Sequence, residues 1–448
     1  MNNTFCCMKK FSLRGIIILL LSIVACTPGN GPTAPPAPTV TSISPADSTT
    51  GVLPNTTITV TFSKTLNPAT VTVQANDGVC SGSVRFSRDN FTSCAGGTIS
   101  TSDNKTFTIT PTVNLCECNA FKVMVTTAVT DAGGTAMTAQ FEQANGFSTQ
   151  NLSSWTEYSG NPIFAGGATS GTDRAYYPSA VKVGNMYHLW YGDGSNTRHM
   201  TSAYMDFHDA TFPASIVTFN PAIPGAYHPY VFYKADGWGN VDSSCSSSNF
   251  LMYISPGSWA SINVACSSDG DTWTNLGAVT GLNTCDPNHY GAFYNFSILY
   301  EGGTFKGYAD NGHSYVQYHT SSDGKSWTCQ AYDILTSTSP QAWEASENQI
   351  TPVILKSGST YVLYYSSGIT SNDEAFGYAT SSDGQSFTKY ANNPIFSIYD
   401  GIAWRDNRTY TPSFIQDTGN LYIVYYTGKK TSTGVYTIGF AKKCGTPY

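Results

Sequence analysis

The sequence predicts an all-β protein with two folded parts, an N-terminal β-sandwich and a C-terminal five-bladed β-propeller. Its 448 residues are too many for one ordinary core, which indicates two or three domains. Aromatic residues make up 13% of the chain and glycine counts 41, whereas helix-period stripes of apolar residues are hard to find after residue 30. Short phrases recur through the second half of the chain, as radial repetition requires.

Residues 1–25 have the pattern of a bacterial lipoprotein signal peptide. Three basic residues within 9–14 precede the apolar run "GIIILLLSIVA" at 15–25, which ends at Cys26. This run is too short to span a bilayer, which takes about 20 residues, but it suits a signal-peptide core. The ending "IVAC" resembles a lipobox, in which the cysteine is acylated after cleavage. We therefore expect lipidation at Cys26, with an ordinary secretory peptide cleaved near the same place as the alternative.

The segment 26–35 is a Pro- and Gly-rich tether that cannot pack a core and should be extended. Thr27, rather than aspartate, follows Cys26, which favours an outer-membrane or cell-surface location for a membrane-anchored bacterial lipoprotein. Removal of residues 1–25 leaves 19 basic and 29 acidic residues, a net charge of −10. This acidic balance, with no Lys/Arg-rich run, argues against nucleic acid as a partner.

Twelve cysteines fit an exported protein in an oxidising compartment. Four of them lie in the first domain, where we expect them to form two disulfides; zinc is the rival interpretation, but the C-x-C motif lacks a second pair at finger spacing. The second domain has an odd number of cysteines, so one stays free unless it pairs elsewhere. The two sets are Cys80, Cys94, Cys116 and Cys118, and Cys245, Cys266, Cys285, Cys329 and Cys444.

The segment 36–149 alternates apolar and polar residues in short runs that Pro, Asp and Gly turns interrupt. The motifs "SPAD", "TFSK", "LNPATV" and "VTDAGG" occur there in this order. Together they resemble the bacterial Ig-like domain of surface-layer and adhesin proteins. That resemblance implies a β-sandwich acting as a spacer or stalk.

The segment 150–448 carries internal repeats. "WTEYSGNPIF" at 155–164 aligns without gaps with "FTKYANNPIF" at 387–396. Five longer phrases each have a turn-favouring or Pro start, an apolar run, a Gly- or Asp-containing turn and an aromatic strand. These phrases predict the first two strands of five propeller blades. They occupy 175–192, 226–237, 293–310, 349–367 and 409–428.

Three near-identical phrases, "SSDGDTWT" at 267–274, "SSDGKSWT" at 321–328 and "SSDGQSFT" at 381–388, follow predicted third strands. Asp-Gly between strands is a hairpin signal, because Asp bonds the turn backbone and Gly accepts a positive φ. We therefore interpret these aspartates as turn residues, with peripheral cation binding as the alternative. The fifth blade lacks a fourth strand of its own, and we expect 155–158 to supply it and close the ring.

The "NPI" and "SSDG-x-x-W" patterns over about 155–443 resemble the five-bladed propeller glycosidases, which include arabinanases, xylosidases, invertases and mannoside phosphorylases. The resemblance implies a carbohydrate substrate in a funnel on the face opposite the SSDG turns. Those enzymes place aspartates just before the inner-strand prolines of the first two blades. Here Tyr177 and His228 occupy these positions, and Asn295 begins the third inner strand. Standard hydrolysis is therefore in doubt.

Glycoside cleavage needs two facing carboxylates, one protonated and one ionised. The stretch "WEASENQITP" at 343–352 offers Glu347 as the best general acid and Glu344 as its substitute, although a solvated loop glutamate is an equal alternative. The partner carboxylate would be Asp173 or Asp406. The candidate substrate-binding residues are Arg174, Tyr177, His228, Asn295, Asp310, Arg405 and Arg408.

Each of these residues also has a structural alternative, such as an Arg–Asp ion pair at 405–406 or a packed, hydrogen-bonded His228. No metal-ligand spacing, nucleotide-binding loop or Ser/His/Asp signature is present, so we expect neither a cofactor nor a metal. The favoured hypothesis is a surface or periplasmic lipoprotein that cleaves or binds a poly- or oligosaccharide. The alternative is a non-catalytic glycan-binding or adhesive propeller that has lost the catalytic aspartates.

Overall fold

The computed structural model describes most of the chain from residue 35 onward. Within the described residues, no helix is long and apolar enough to cross a membrane. The expected signal peptide and Cys26 lie outside these residues, so the lipid anchor stays a prediction. The described ranges are 35–115, 117–165, 174–211, 214–256, 261–285, 293, 295–310, 315–336, 339–344, 350–370, 374–417 and 420–448.

The regular structure of these ranges is β throughout, apart from the four short 3-10 turns Pro68–Thr70, Ser243–Cys245, Leu282–Thr284 and Ile398–Asp400. The first domain contains the strands β1 (Val40–Ser44), β2 (Ile58–Phe62), β3 (Val84–Ser87), β4 (Gly97–Thr101), β5 (Thr106–Pro111), β6 (Ala120–Val125), β7 (Phe141–Glu142) and β8 (Phe147–Ser148).

Two sheets form this first domain. One has the strand order β1-β2-β5-β4, and the other has the order β3-β6-β7 with β8 also paired to β6. Strand β2 shows why they pack together, because Ile58, Val60 and Phe62 alternate with polar residues and are fully buried. The predicted β-sandwich is confirmed.

The second domain is a ring of five blades within the described residues, as the repeats predict. Two short strands, β9 (Thr156–Glu157) and β10 (Phe164–Ala165), precede the ring. Blade one contains β11 (Tyr176–Val183), β12 (Met186–Gly192), β13 (Thr197–Ser202) and β14 (Ser215–Ile216). Blade two contains β15 (Thr218–Asn220), β16 (His228–Tyr233), β17 (Phe250–Ser255), β18 (Asn263–Ser267) and β19 (Thr272–Ala278). Blade three contains β20 (Phe296–Glu301), β21 (Thr304–Asp310), β22 (Val316–Ser321) and β23 (Thr328–Ala331).

Blade four contains β24 (Ile350–Ser357), β25 (Thr360–Ser367), β26 (Ala375–Ser381), β27 (Thr388–Lys389) and β28 (Phe396–Ser397). Blade five contains β29 (Arg408–Gln416), β30 (Leu421–Lys429) and β31 (Tyr436–Cys444). The inner strands β11, β16, β20, β24 and β29 surround a central channel of about 420 Å³. Each junction between neighbouring blades buries its own apolar cluster.

The ring closes through the start of the domain, as predicted. Strand β31 pairs with β9 at Ala441 and Glu157, and with β10 at Ile438 and Phe164. In blade four, the two short strands β27 and β28 likewise both pair with one strand, β26. The matched phrases at 155–164 and 387–396 therefore form equivalent outer strands, and the first of them gives blade five the outer strand that it otherwise lacks.

The SSDG phrases form three equivalent turns. In the blade-three turn, the Asp323 Oδ1 accepts hydrogen bonds from the backbone N–H of Lys325 at 2.8 Å and of Ser326 at 2.7 Å. Gly324 has φ +70°, a left-handed conformation that glycine accepts without strain. Asp269 and Asp383 make the same bonds in blades two and four. We call this end of the ring, with residues 267–274, 321–328 and 381–388, the turn end.

The turn end also ties each blade to its neighbour. In each blade, the second strand carries an aromatic residue at the same register. This residue donates a hydrogen bond to a backbone carbonyl of the adjoining blade or closing segment. The five bonds run from Trp190 to Gly270, Tyr253 to Gly324, Tyr308 to Gly384, Tyr364 to Pro447 and Tyr425 to Met205.

The disulfides correct one sequence expectation. Cys80 pairs with Cys94 inside the first domain, but Cys118 pairs with Cys444 of the propeller. Two disulfides within the first domain were expected, and this was wrong for Cys118; Cys116 lies outside the described residues. The cross-domain bond also gives the fifth propeller cysteine its partner. The remaining bonds are Cys245–Cys266 and Cys285–Cys329.

Candidate functional site

The inner strands all begin at the end of the ring opposite the SSDG turns, and five register-equivalent residues stand there. They are Tyr177, His228, Asn295, Thr351 and Thr411, and we call this the funnel end. Tyr177, Thr351 and Thr411 have φ values of 53°, 52° and 53°, in the left-handed region that β-branched and bulky residues rarely enter. Such backbone persists only where the surrounding structure fixes it, often at binding sites.

The fixing groups lie on the second strand of the preceding blade. Its last residues carry side-chain oxygens that accept the backbone N–H of each left-handed residue. The three bonds are Tyr177 N–H to Thr427 Oγ1 at 3.0 Å, Thr411 N–H to Ser366 Oγ at 3.3 Å, and Thr351 N–H to Asp310 Oδ2 at 2.8 Å.

The threonine side chains are committed to the same network. The hydroxyl oxygens of Thr351 and Ser366 lie 2.6 Å apart, and those of Thr411 and Thr427 also lie 2.6 Å apart. All four residues are buried. Blades four and five therefore present a closed polar layer here, with their hydroxyls bonded to one another.

Asp310 is the candidate carboxylate nearest the centre of this layer. It is fully buried, and its Oδ2 accepts from Asn295 Nδ2 at 2.7 Å while its Oδ1 accepts from the Asn295 backbone N–H at 3.2 Å. Burial raises the pKa of Tyr230 well above its usual value, and the negative charge of Asp310 adds to this shift. Asn295 Oδ1 is buried without a hydrogen-bond partner in the described part of the chain. Asp310 and Asn295 thus form one polar pair, as hydrogen-bonded partners.

Aromatic rings occupy the funnel end at blades one, two and five. The rings of Tyr177 and His228 stack with their centroids 3.4 Å apart, and the ring of Tyr410 meets Tyr177 edge-on at 5.6 Å. Burial raises the pKa of the Tyr177 phenol well above its usual value, so this hydroxyl stays protonated at neutral pH.

Three further rings extend this group outward. The Tyr176 ring lies 4.7 Å from that of Tyr177, 6.0 Å from that of Tyr227 and 5.4 Å from that of Tyr436. Tyr177, Tyr227 and Tyr436 are half-buried, so each presents part of its surface to solvent. We call the set Tyr176, Tyr177, Tyr227, His228, Tyr410 and Tyr436 the tyrosine cluster.

Cations surround the tyrosine cluster. The Lys429 Nζ lies 4.7 Å from the centroid of the Tyr436 ring, and the Arg408 Cζ lies 5.9 Å from the same centroid. The Arg174 Cζ lies 5.9 Å from the centroid of the Tyr176 ring. Blades five and one thus bring two arginines, a lysine and several tyrosines together at one rim.

Among the predicted substrate-binding residues, Arg174, Tyr177, His228 and Arg408 meet in this region. Arg405 does not join them. Its guanidinium is 2% exposed and donates to Glu157 Oε1 at 3.0 Å and to Asp400 Oδ2 at 3.0 Å. Because Glu157 lies on β9, Arg405 fastens blade five to the closing strand.

The predicted catalytic residues are distributed differently. Glu344 is buried and accepts from the Tyr365 hydroxyl at 2.6 Å and from Lys389 Nζ at 2.7 Å, which anchors its loop to β27. Asp406 is exposed and accepts from the Thr431 backbone N–H at 2.7 Å. Glu347 and Asp173 lie outside the described residues, so their catalytic roles stay predictions. No group of three or more metal-binding side chains occurs in the ranges that the structure describes.

Sequence reasoning missed Tyr227, Tyr410, Tyr436 and Lys429. A signal for two of them was present, because the funnel was expected on the face opposite the SSDG turns. Lys429 and Tyr436 flank the loop between the second and third strands of blade five on that face. The register that makes these two residues direct neighbours on β30 and β31 was not visible in the sequence.

Comparison with known proteins bears on the two domains separately. Residues 34–149 match the sequence profile of the family described as Bacterial Ig-like domain. The first domain is a bacterial Ig-like domain. A search among curated proteins finds no significant match to the chain.

The propeller is similar to solved glycoside hydrolases at low identity. An α-L-arabinofuranosidase of glycoside hydrolase family 62 from Coprinopsis cinerea shares 12% identity and a TM-score of 0.49, covering 65% of this chain and 97% of that one. A second match is a structure from glycoside hydrolase family 130, a family described as containing hydrolases that target β-1,2 mannosidic linkages in Candida mannan. It shares 14% identity and a TM-score of 0.49, covering 66% of this chain and 97% of that one. A glycosyl hydrolase from Bacteroides ovatus shares 16% identity and a TM-score of 0.48, covering 65% of this chain and 93% of that one. At these identities the matches give no information on the substrate of this chain.

Proposed function

We propose that this protein is a glycan-binding lipoprotein whose propeller holds an oligosaccharide over the tyrosine cluster at the funnel end. The observation that carries this proposal is the grouping of half-buried tyrosines with arginine and lysine on one rim. Aromatic faces stack on the C–H surfaces of sugar rings, while charged and hydroxyl groups bond the sugar hydroxyls. No other described region combines these groups around the mouth of the ring.

Binding is favoured over cleavage by the residues at the inner-strand starts. In the described part of the funnel end, the carboxylate at the polar layer is Asp310, and both of its oxygens already accept hydrogen bonds. Thr351 and Thr411 are bonded into the same layer. Neither arrangement supplies the pair of facing carboxylates that hydrolysis needs.

Hydrolysis is the second candidate function, with Glu347 as general acid against Asp173. What favours it is position along the chain, since Glu347 comes three residues before β24 and Asp173 three residues before β11. Both inner strands begin at the funnel end, which is where a substrate held by the tyrosine cluster would lie.

One experiment tests both candidates. The unlipidated chain from residue 27 onward, which keeps both domains and the Cys118–Cys444 disulfide, is screened against a panel of oligosaccharides for binding and against aryl glycosides for turnover. We expect binding of at least one glycan, with no turnover by the wild type or by Glu347→Gln. Turnover that Glu347→Gln abolishes would replace the binding proposal by hydrolysis, and the absence of any glycan binding would refute both.

The anchoring part of the proposal has its own test. The Pro/Gly-rich segment 26–35 and the Ig-like domain would hold the propeller away from a membrane to which Cys26 is attached. Labelling of expressing cells with a fatty-acid analogue should mark the wild type and leave Cys26→Ser unlabelled. Equal labelling of both proteins would contradict the anchor.

A further inference from the structure

We infer that the funnel end selects glycans that carry negative charge, as a sugar carboxylate or a sulfate ester. This inference rests on the proposed glycan binding and adds the substrate class. It starts from two cations on neighbouring strands of blade five. Arg408 on β29 is directly opposite Lys429 on β30.

The two cations also share one ring. Lys429 is in turn directly opposite Tyr436 on β31, so Arg408, Lys429 and Tyr436 form a row across blade five. Tyr176 of blade one faces Tyr436, with Arg174 beside it. Three cations from two blades therefore border two neighbouring tyrosine rings.

Lys429 differs from most lysines of the propeller. Six of its ten lysines lie within 4 Å of a carboxylate, whereas Lys429 is one of four that form no ion pair with any described carboxylate. The concentration of positive charge is the more unusual because the mature chain carries a net charge of −10. The six paired lysines are Lys182, Lys306, Lys325, Lys356, Lys389 and Lys442.

An anionic sugar fits this row. Its ring would stack on Tyr436 or Tyr227, and its carboxylate or sulfate would extend from the ring edge toward Lys429. The planar guanidinium of Arg408 suits two-point contact with such an oxyanion, while the Lys429 ammonium acts as a point charge.

The test is a matched set of affinities measured by calorimetry. One arm compares galacturonic acid oligosaccharides with the same chains after reduction of their carboxylates to alcohols. The other arm compares sulfated galactan oligosaccharides with their desulfated forms. We expect at least one anionic ligand to bind about tenfold or more tightly than its neutral partner. The arm that shows the preference identifies the anion as carboxylate or sulfate.

Two variants link the preference to the row. Lys429→Met should weaken binding of the anionic ligand about tenfold more than binding of its neutral partner, because the ammonium bonds an anion more strongly than a hydroxyl. Lys325→Met, which makes the same charge change at the turn end, should leave both affinities unchanged. Unchanged melting temperatures establish that the variants are folded. If Lys429→Met does not fold, Lys429→Gln is measured in its place.

The possible failures are distinguishable. Equal affinity for charged and neutral chains in both arms, or an equal loss for both ligands in Lys429→Met, would overturn charge selection while glycan binding stands. If no oligosaccharide binds in either arm and none binds in the wider panel, the proposed function fails together with this inference.

Discussion

The second strand of each blade has two ends, and they follow different rules. An aromatic side chain reaches toward the turn end from near the middle of the strand, and in all five blades it donates a hydrogen bond to a backbone carbonyl of the adjoining blade or closing segment. The residues are Trp190, Tyr253, Tyr308, Tyr364 and Tyr425. Two residues further along each strand, at the funnel end, the equivalent residues are Gly192, Ser255, Asp310, Ser366 and Thr427. One end repeats a single interaction, and the other end changes it from blade to blade.

The difference separates scaffold from site. A ring closes only if every junction is satisfied, so the joining interaction at the turn end recurs with the repeat. The funnel end uses polar pairs in blades three to five and a bare glycine in blade one. This variation leaves room for the tyrosine cluster between blades five, one and two. The repeated residues hold the propeller together, and the divergent residues at equivalent positions lie at the proposed binding surface.

The largest decrease in the free energy of unfolding is expected at the ring closure. Arg405→Met removes the buried guanidinium that bonds Glu157 and Asp400. Because both carboxylates stay partly exposed, the lost hydrogen bonds between charged groups should cost about 3 kcal/mol. Urea unfolding should show this decrease in the free energy of unfolding. Lys105→Met, at an exposed site of the first domain, should change it by about 0.5 kcal/mol or less. Equal stability of the two variants would contradict the closing role of Arg405.

Gly192 gives the next largest expected effect. A Cβ at this position would lie 2.2 Å from the carbonyl oxygen of Tyr227, so Gly192→Ala should force blades one and two apart at a cost of about 1–3 kcal/mol. The matched control is Ser255→Ala, at the equivalent position of blade two, where one hydrogen bond worth about 1 kcal/mol is lost. Thermal unfolding ranks the two, and a smaller loss for Gly192→Ala would be inconsistent with the tight junction.

The repeated aromatic donors can be tested one at a time. Tyr308→Phe removes the hydroxyl that donates to the Gly384 carbonyl at 2.7 Å and leaves that acceptor unpaired, which should cost about 1–2 kcal/mol. Tyr318 is also buried, but its hydroxyl makes no hydrogen bond among the described residues. Tyr318→Phe should therefore be nearly neutral in the same denaturation experiment. Equal losses would mean that ring packing, rather than the inter-blade bond, stabilises this junction.

The smallest effect is expected at an SSDG turn and depends on pH. Burial opposes ionisation of Asp323, but the N–H donors of Ser326 and Lys325 outweigh it and lower its pKa to about 2. Because the folded pKa lies below the unfolded value of 3.8, the stabilisation is complete above pH 4 and is lost as pH falls toward 2. For this partly buried group we expect about 1 kcal/mol, because solvent still screens it. The gap in melting temperature between wild type and Asp323→Asn should narrow on acidification, and a constant gap would exclude this cause.

Much of the fold could be predicted from the sequence. The five longer phrases predicted the number of blades and their first two strands, and the match between 155–164 and 387–396 predicted the closing strand, since these follow from periodicity and turn chemistry. The pairing of Cys118 with Cys444 could not be predicted, because a contact across 326 residues depends on how the two domains meet.

The site was less predictable for a related reason. The sequence identified the loops of the funnel end, and Tyr177, His228, Arg174 and Arg408 do meet there. It did not reveal that Arg405 would turn inward to Glu157, since burial of a charge is decided by the packing between blades.

The most direct test of the central claim compares one residue from each end of the propeller. Affinity for the best-binding oligosaccharide is measured by calorimetry for the wild type, Tyr436→Ala and Tyr308→Phe. We predict that Tyr436→Ala lowers affinity about tenfold or more at unchanged melting temperature, because the sugar loses its stacking surface. Tyr308→Phe should lower the melting temperature and leave affinity unchanged. Wild-type affinity in Tyr436→Ala, or an equal loss in both variants, would contradict the assignment of binding to the funnel end.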